Sequence, residues 1–488
     1  MSGSKAIPTT TPSSIPSGSI FTMKSSSEKI AEITEYPPSE GVGEVDEIKL
    51  GNEHEVFKKG EDIVDFRTVG WLRASSICIK IQFALGVLNI PSCLYTLGAF
   101  PGSLCVVGWA FLNTYNAVLF GDFKFRHPGI YDVTDVAYVI GGPILREVMG
   151  ALFMIGCVFC VASSCLGLST AFNALSHHAA CTVWWSFLSM FFIGAGASMR
   201  KFHSIGWLTW AGFASMFVSV FIVVVAVTQL DRPAAAPQTG PYDLGWNWIG
   251  TPTFVSAMTA STSIFVSGAG APMFLQVMSE MKKPTDFRKA LYLCNFIINA
   301  SYLAFSLVIY RWCGKWVASP SLGSAGQTIK MVAYGIALLG LFVGAILYLH
   351  LGAKMLFVRV LRNSRHLQAN TVVHWSVWLS CTFGLCALGF ILAEAIPIFN
   401  YLIALTGSIC FAPLSLALPP VAWLYDHWHY RKGSMLRKAI WSMSVLSFLL
   451  GTFMTVGGTY STVELIIEAY ASGQIGSAFS CADNSNSS

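Results

Sequence analysis

Apolar residues in this chain come in long runs separated by short polar stretches, and most runs are long enough to cross a bilayer as a helix. In order they fall near 71–98, 101–121, 147–175, 181–199, 203–230, 252–281, 290–317, 328–358, 371–393, 396–425 and 437–461, which predicts eleven transmembrane helices. Two runs are interrupted at mid-depth. The first carries Gly86 and Pro91 five residues apart, within Ala84-Leu85-Gly86-Val87-Leu88-Asn89-Ile90-Pro91. Pro91 has no N–H to give the preceding turn and disfavours helical geometry at Ile90. The sixth carries Ser267-Gly268-Ala269-Gly270-Ala271-Pro272, where each Gly is about 1 kcal/mol worse than Ala in a helix and Pro about 3 kcal/mol worse. An unpaired backbone group in hydrocarbon costs several kcal/mol, so each break must be buried in protein or line a cavity. One such break is ordinarily a packed Pro kink. Two at matching positions, five spans apart, point to an inverted-repeat transporter with a binding site at the midplane. Spans 1–5 and 6–10 then form two halves of opposite hand, and span 11 is peripheral.

The flanks are polar. Residues 1–66 are rich in Ser, Thr, Pro and Gly, then acidic at Glu40, Glu44, Asp46 and Glu47. With few large apolar side chains, this tail is expected to be disordered. Its Ser and Lys residues suit phosphorylation by a kinase or attachment by a ubiquitin ligase, and a solvated tail with no specific role explains them equally well. Residues 67–470 form the transporter domain and 471–488 a short C-terminal tail. The loop 121–147 alternates Tyr131, Val133, Val136, Ala137, Tyr138 and Ile140 with Arg126, Asp132 and Asp135. This predicts an amphipathic helix lying against the bundle, too polar to span.

Charge fixes the orientation. Only 11% of the 488 residues are charged and 54% are hydrophobic, against about 25% charged in soluble domains. The net charge of +5 is modest and leaves no nucleic-acid footprint. Its placement is uneven. With loops assigned alternately to the two sides, one side holds seventeen Lys and Arg, from Lys124 and Arg126 through Arg200, Lys201, Lys282 and Lys354 to Lys438. The other holds four: Arg232, Arg311, Lys315 and Lys330. Cytoplasmic loops carry the positive excess, so the N-terminus is expected in the cytoplasm and the C-terminus outside. Asn486-Ser487-Ser488 is then an exterior glycosylation sequon. Of thirteen Cys, most lie singly inside apolar runs and read as small buried residues. Cys181, Cys313 and Cys481 fall toward the exterior and are the candidates for a disulfide.

The interrupted runs sit within longer matches to a known family. The chain resembles the amino acid/auxin permeases (the transmembrane amino acid transporters), and among them fungal neutral amino acid permeases. The matching stretches are Val64-Asp65-Phe66-Arg67-Thr68-Val69-Gly70-Trp71, Lys80-Ile81-Gln82-Phe83 leading into Gly86 and Pro91, and residues 267–272 followed by Glu280-Met281-Lys282-Lys283-Pro284-Thr285-Asp286-Phe287. To these is added 397–425, with Thr406-Gly407-Ser408 and Pro413 to Pro419. The resemblance covers about 64–470 and leaves out the tail. It implies the fold of the bacterial leucine transporter, an all-α, 5+5 inverted repeat, and secondary-active uptake of amino acids.

If the two breaks meet, their backbone can hold a zwitterion. Gly86, Val87 and Leu88 present N–H groups at a positive half-helix end, which suits a carboxylate. Carbonyls of Phe265, Val266 and Ser267, beside Gly268, lie at a negative end and suit an ammonium group. No Asp, Glu, Lys or Arg lies within 84–92 or 261–271, so neutral amino acids are expected, with Leu88, Phe265 and Val266 leaving room for aliphatic or aromatic side chains. Small residues of span 3 (Gly156, Ala162, Ser163 and Ser164) either line the pocket or allow close helix packing. Two ionisable residues inside spans are candidates for coupling to an ion. Lys80 lies six residues before Gly86, about 9 Å along a helix; it could stand in for a bound sodium ion, or snorkel to the headgroups. His350 in span 8 titrates in the right range to carry a proton, or is a satisfied core histidine. Glu280, with Lys282 and Lys283, reads as a cytoplasmic gate or juxtamembrane salt bridge. The resemblance favours protons over sodium and implies no other cofactor.

Asp426-His427-Trp428-His429 and His177-His178 lack further ligands at metal spacing and read as interfacial residues. No His, Asp, Ser and Cys converge as an enzyme would need. The leading expectation is a proton-coupled permease for neutral amino acids, in the plasma membrane or, alternatively, the vacuolar one. Sodium coupling, another solute, and a transport-inactive amino acid sensor remain as alternatives.

Overall fold

A computed structural model describes residues 67–485 except 84–85, 128, 200–201, 363, 368 and 473–477, and of 202–207 the backbone alone. The expectations for the 1–66 tail, Ala84, Leu85, Arg200, Lys201 and the 486–488 sequon lie outside the described residues. Those described form helices and no strand beyond a single bridge between Val69 and Met281.

Both interruptions are present. The first run is two helices, α1 (Trp71–Gln82) and α2 (Gly86–Leu97), bent by 47°. The sixth is α7 (Phe254–Ser267) and α8 (Ala271–Ser279). Thr253 starts α7, its side chain accepting from the Ser256 N–H. Pro272 falls in the first turn of α8, where its missing N–H breaks no bond. Between the two interrupted runs lie α3 (Ala99–Arg126), α4 (Val133–Ser176), α5 (Thr182–Ala197) and α6 (Phe202–Thr228). After them come α9 (Phe287–Cys313), α10 (Gln327–Leu361), α11 (Val372–Ala395), a rod of α12 (Phe399–Leu405) and α13 (Leu418–His427), and α14 (Met435–Ala471). Within that rod, Thr406–Ala417 winds as a π-helix containing Pro413.

Nine described helices are long and apolar enough to cross a membrane, or ten if the bent pair α1–α2 counts as one span. The remaining apolar helix, α5, has 16 residues and extends about 24 Å, short of a core roughly 30 Å thick. The loop 121–147 holds the expected amphipathic helix. Residues from Val133 form a short helix against the bundle, the first arm of α4, set off from the span by Gly141 and Gly142, both with non-helical backbone angles. Asp132 caps that arm, accepting from the Thr134 and Asp135 N–H groups, and Val133, Val136 and Ala137 are buried. Val133, Val136 and Ala137 follow the helical spacing of a buried face, and the bend falls at Gly141-Gly142-Pro143.

The interrupted runs are tied to each other at both ends. At the basic end the Val69 N–H donates to the Glu280 carbonyl at 3.0 Å, and the Lys282 N–H to Val69 at 2.8 Å. At the other end the Gly250 N–H donates to the Leu97 carbonyl at 2.9 Å and the Ala99 N–H to Asn247 at 3.1 Å. This crossing needs glycine: Gly98 has φ +92°, and a Cβ there would lie 2.3 Å from Gly250 N. At the same end a disulfide joins Cys181 to Cys481, while Cys313 is a buried free thiol.

Candidate functional site

Helices α1 and α7 both end near the middle of the bundle, and α2 and α8 both begin there. Four half-helix ends therefore face one another, two presenting carbonyls and two presenting N–H groups without partners inside their helices. Between them lies a cavity of about 30 Å³, lined by Gln82, Gly86, Cys160, Ser163, Val266, Ser267, Tyr348, Ile403 and Thr406. That volume holds one or two waters, whereas sites for small molecules usually exceed about 300 Å³. An amino acid enters only if the walls move.

Of the expected site residues, Gly86, Val266 and Ser267 line this cavity. Gly86 is at the closest approach of the breaks: a Cβ there would meet Tyr302 Oη at 2.5 Å and the Ser267 Cβ at 2.6 Å. Val87 and Leu88, the next residues of α2, are buried behind it. The Phe265 ring packs edge-on against Trp109 at 5.3 Å, away from the lining, and its carbonyl already accepts from the Gly268 N–H and from Asn113 Nδ2, both at 3.1 Å. The Val266 carbonyl accepts from the Ala269 N–H at 3.1 Å. Gly268 sits against the Asn113 amide. In span 3, Ser163 lines the cavity, while Gly156 lets Cys410 and Phe411 pack closely.

Several residues that hold the breaks escaped the sequence reading. Tyr302, from α9, donates its hydroxyl proton to the Gln82 carbonyl at 2.7 Å or the Ser267 carbonyl at 3.1 Å, joining the ends of α1 and α7. Tyr348, from α10, hydrogen-bonds the Ile81 carbonyl. Gln82 Nε2 donates to the Gly268 carbonyl at 3.3 Å, and Ser415, in the π-wound segment, donates to the Ala269 carbonyl at 3.0 Å. These contacts link residues up to 267 positions apart, so nothing local announces them. Gln82 and Thr406 did leave a trace, as polar residues in apolar runs inside the family stretches.

Neither coupling candidate lines the cavity. Lys80, on α1, is fully buried, and its ammonium has no hydrogen-bond partner among the described residues. His350 is buried against Trp378, ring centroids 5.4 Å apart, and interacts with the backbone at Ala197 and Met199. Glu280 pairs with Lys354 of α10, and both side chains are nearly inaccessible.

Residues 67–466 match a family described as transmembrane amino acid transporter protein. The chain belongs to this family. Proteins called transmembrane transporter from Gibberella moniliformis and Fusarium pseudograminearum are each 46% identical to it, over 95% and 90% of this chain and 97% and 92% of theirs. An N amino acid transport system protein from Neurospora crassa is 26% identical over 92% of this chain and 96% of its own. Among solved structures, MhsT in complex with L-phenylalanine aligns with 80% of this chain and 98% of its own, at 12% identity and a TM-score of 0.49. The transmembrane amino acid transporter family is thus the resemblance expected from the motifs, and its apolar helices make the protein an integral membrane protein.

Proposed function

We propose that this protein is a secondary-active permease that carries neutral L-amino acids together with protons, by alternating access around the two interrupted spans. The observation that carries the reading is the cavity where both breaks meet, because its described lining residues include no Asp, Glu, Lys, Arg or His. The first turn of α2, at Gly86, Val87 and Leu88, takes the carboxylate. The carbonyl ends of α1 and α7, around Val266 and Ser267, take the ammonium. A charged substrate side chain would find no partner and would carry the full desolvation cost of an unpaired ion. The relative named for N amino acid transport supports an amino acid as cargo.

Proton coupling is assigned to Lys80. An ammonium buried without a partner is expensive, and such groups inside spans mark ion and proton paths. The basic end is read as cytoplasmic from the charge asymmetry, and the Cys181–Cys481 disulfide at the other end suits the oxidising exterior of a plasma membrane. Competition against uptake of radiolabelled L-phenylalanine tests the substrate class. Unlabelled leucine and phenylalanine should compete and lysine and glutamate should not; equal competition by lysine would overturn the neutral assignment.

A further inference from the structure

The hydroxyls around the cavity have already committed their protons. Ser163 donates to the Phe159 carbonyl at 3.0 Å, Ser267 to Ser263 at 2.8 Å, Thr406 to Leu402 at 2.6 Å, and Tyr348 to Ile81. The side-chain oxygens of the wall therefore face a ligand as acceptors only. One of them makes no hydrogen bond of any kind among the described residues. Gln82 is 5% exposed, and its Oε1 has no hydrogen-bond partner among the described residues. The orientation of the amide is fixed by its neighbour: the Gly268 carbonyl can only accept, so Nε2 faces it and Oε1 turns elsewhere. The side chain reaches across the sixth-span break, since a Cβ on Gly270 would come within 2.9 Å of Nε2. The Gln82 backbone carbonyl shares the Tyr302 hydroxyl with Ser267, so one proton serves two acceptors and leaves one of them open.

We propose that Gln82 is a substrate contact that reads the α-amino group: Oε1 accepts a hydrogen bond from the substrate ammonium, while Nε2 holds the sixth-span break at Gly268. A buried acceptor left without a donor carries a desolvation penalty, and an ammonium, with three donors, removes it. A carboxylic acid of the same shape without its amine leaves Oε1 unsatisfied. Gln82 thereby separates amino acids from their desamino analogues, a discrimination that the carbonyls of Phe265 and Val266 make weakly because each already accepts from a backbone N–H. The inference rests on the amino acid cargo proposed above.

The test uses the full chain, with uptake of radiolabelled L-phenylalanine and competition by unlabelled L-phenylalanine or by hydrocinnamate, which is the same molecule lacking its amine. If phenylalanine is not carried, L-leucine and isocaproate replace them. In the unaltered protein the amino acid should compete at least a hundredfold better. In Gln82→Leu that ratio should fall about ten- to a hundredfold, the size of one hydrogen bond to a charged group. In Gln82→Glu, which keeps the acceptor as a carboxylate and loses the donor to Gly268, the ratio should hold or rise while uptake slows. A purely structural Gln82 would weaken both competitors alike, so an unchanged ratio in Gln82→Leu overturns the proposal. If Gln82→Leu does not reach the membrane, Gln82→Glu decides: a collapsed ratio there overturns the proposal too. Failure of the unaltered protein to take up either amino acid counts against the cargo instead.

Discussion

Gly86 has no room for a methyl group. A Cβ there would overlap both Ser267 and Tyr302, so Gly86→Ala has to push the two breaks apart. Its uptake should fall at least tenfold at unchanged surface level, measured by uptake alongside surface labelling. Tyr302→Phe removes the hydroxyl that ties the ends of α1 and α7. Buried carbonyls left without that donor cost about 1–3 kcal/mol, so the purified variant should unfold at lower temperature than the parent in a thermal melt. The two residues differ in how far sequence shows them. Gly86 is visible because a glycine in an apolar span, followed by Pro91, is costly without a reason. Tyr302 is one aromatic among many in an apolar run, and its role is a contact across more than two hundred residues. Gln82 lies between: a polar residue in a span is conspicuous, but its side chain's reach to Gly268 is a tertiary fact.

At the scale of elements, the interrupted spans were legible because Gly and Pro act through local backbone energetics. The bend of α4 has the same kind of local cause, Gly141-Gly142-Pro143 with Gly142 at φ +70°, whereas the extent of the π-wound stretch 406–417 around Pro413 does not read off a single residue. The basic ends of the two interrupted spans are joined by the Val69 bridge and, through Glu280, to α10. Glu280 and Lys354 are both buried, and removing one partner of such a pair typically costs about 3–5 kcal/mol, because the other charge is stranded. Glu280→Gln and Lys354→Met alone should each sharply lower the folded protein recovered on size exclusion. The double variant should recover part of the loss. A double variant as poor as the sum of the two would show that the charges act independently.

For the whole molecule, the Cys181–Cys481 disulfide closes a loop of 300 residues and holds the C-terminal segment against α4, α5 and α10. The sequence narrowed the candidates to three cysteines by topology, but only three-dimensional proximity pairs two of them. Mass spectrometry of the unreduced protein should find the Cys181 and Cys481 peptides linked and Cys313 as a thiol; a Cys313 linkage would contradict the arrangement. The central claim, however, is proton-coupled amino acid transport through the meeting point of the breaks, where a cavity of about 30 Å³ means that the walls must move to admit cargo. Uptake of radiolabelled L-phenylalanine over a range of external pH, with sodium present or replaced by choline, tests it most directly. The account predicts that uptake rises as external pH falls and is indifferent to sodium. Uptake that follows sodium and ignores pH would contradict it.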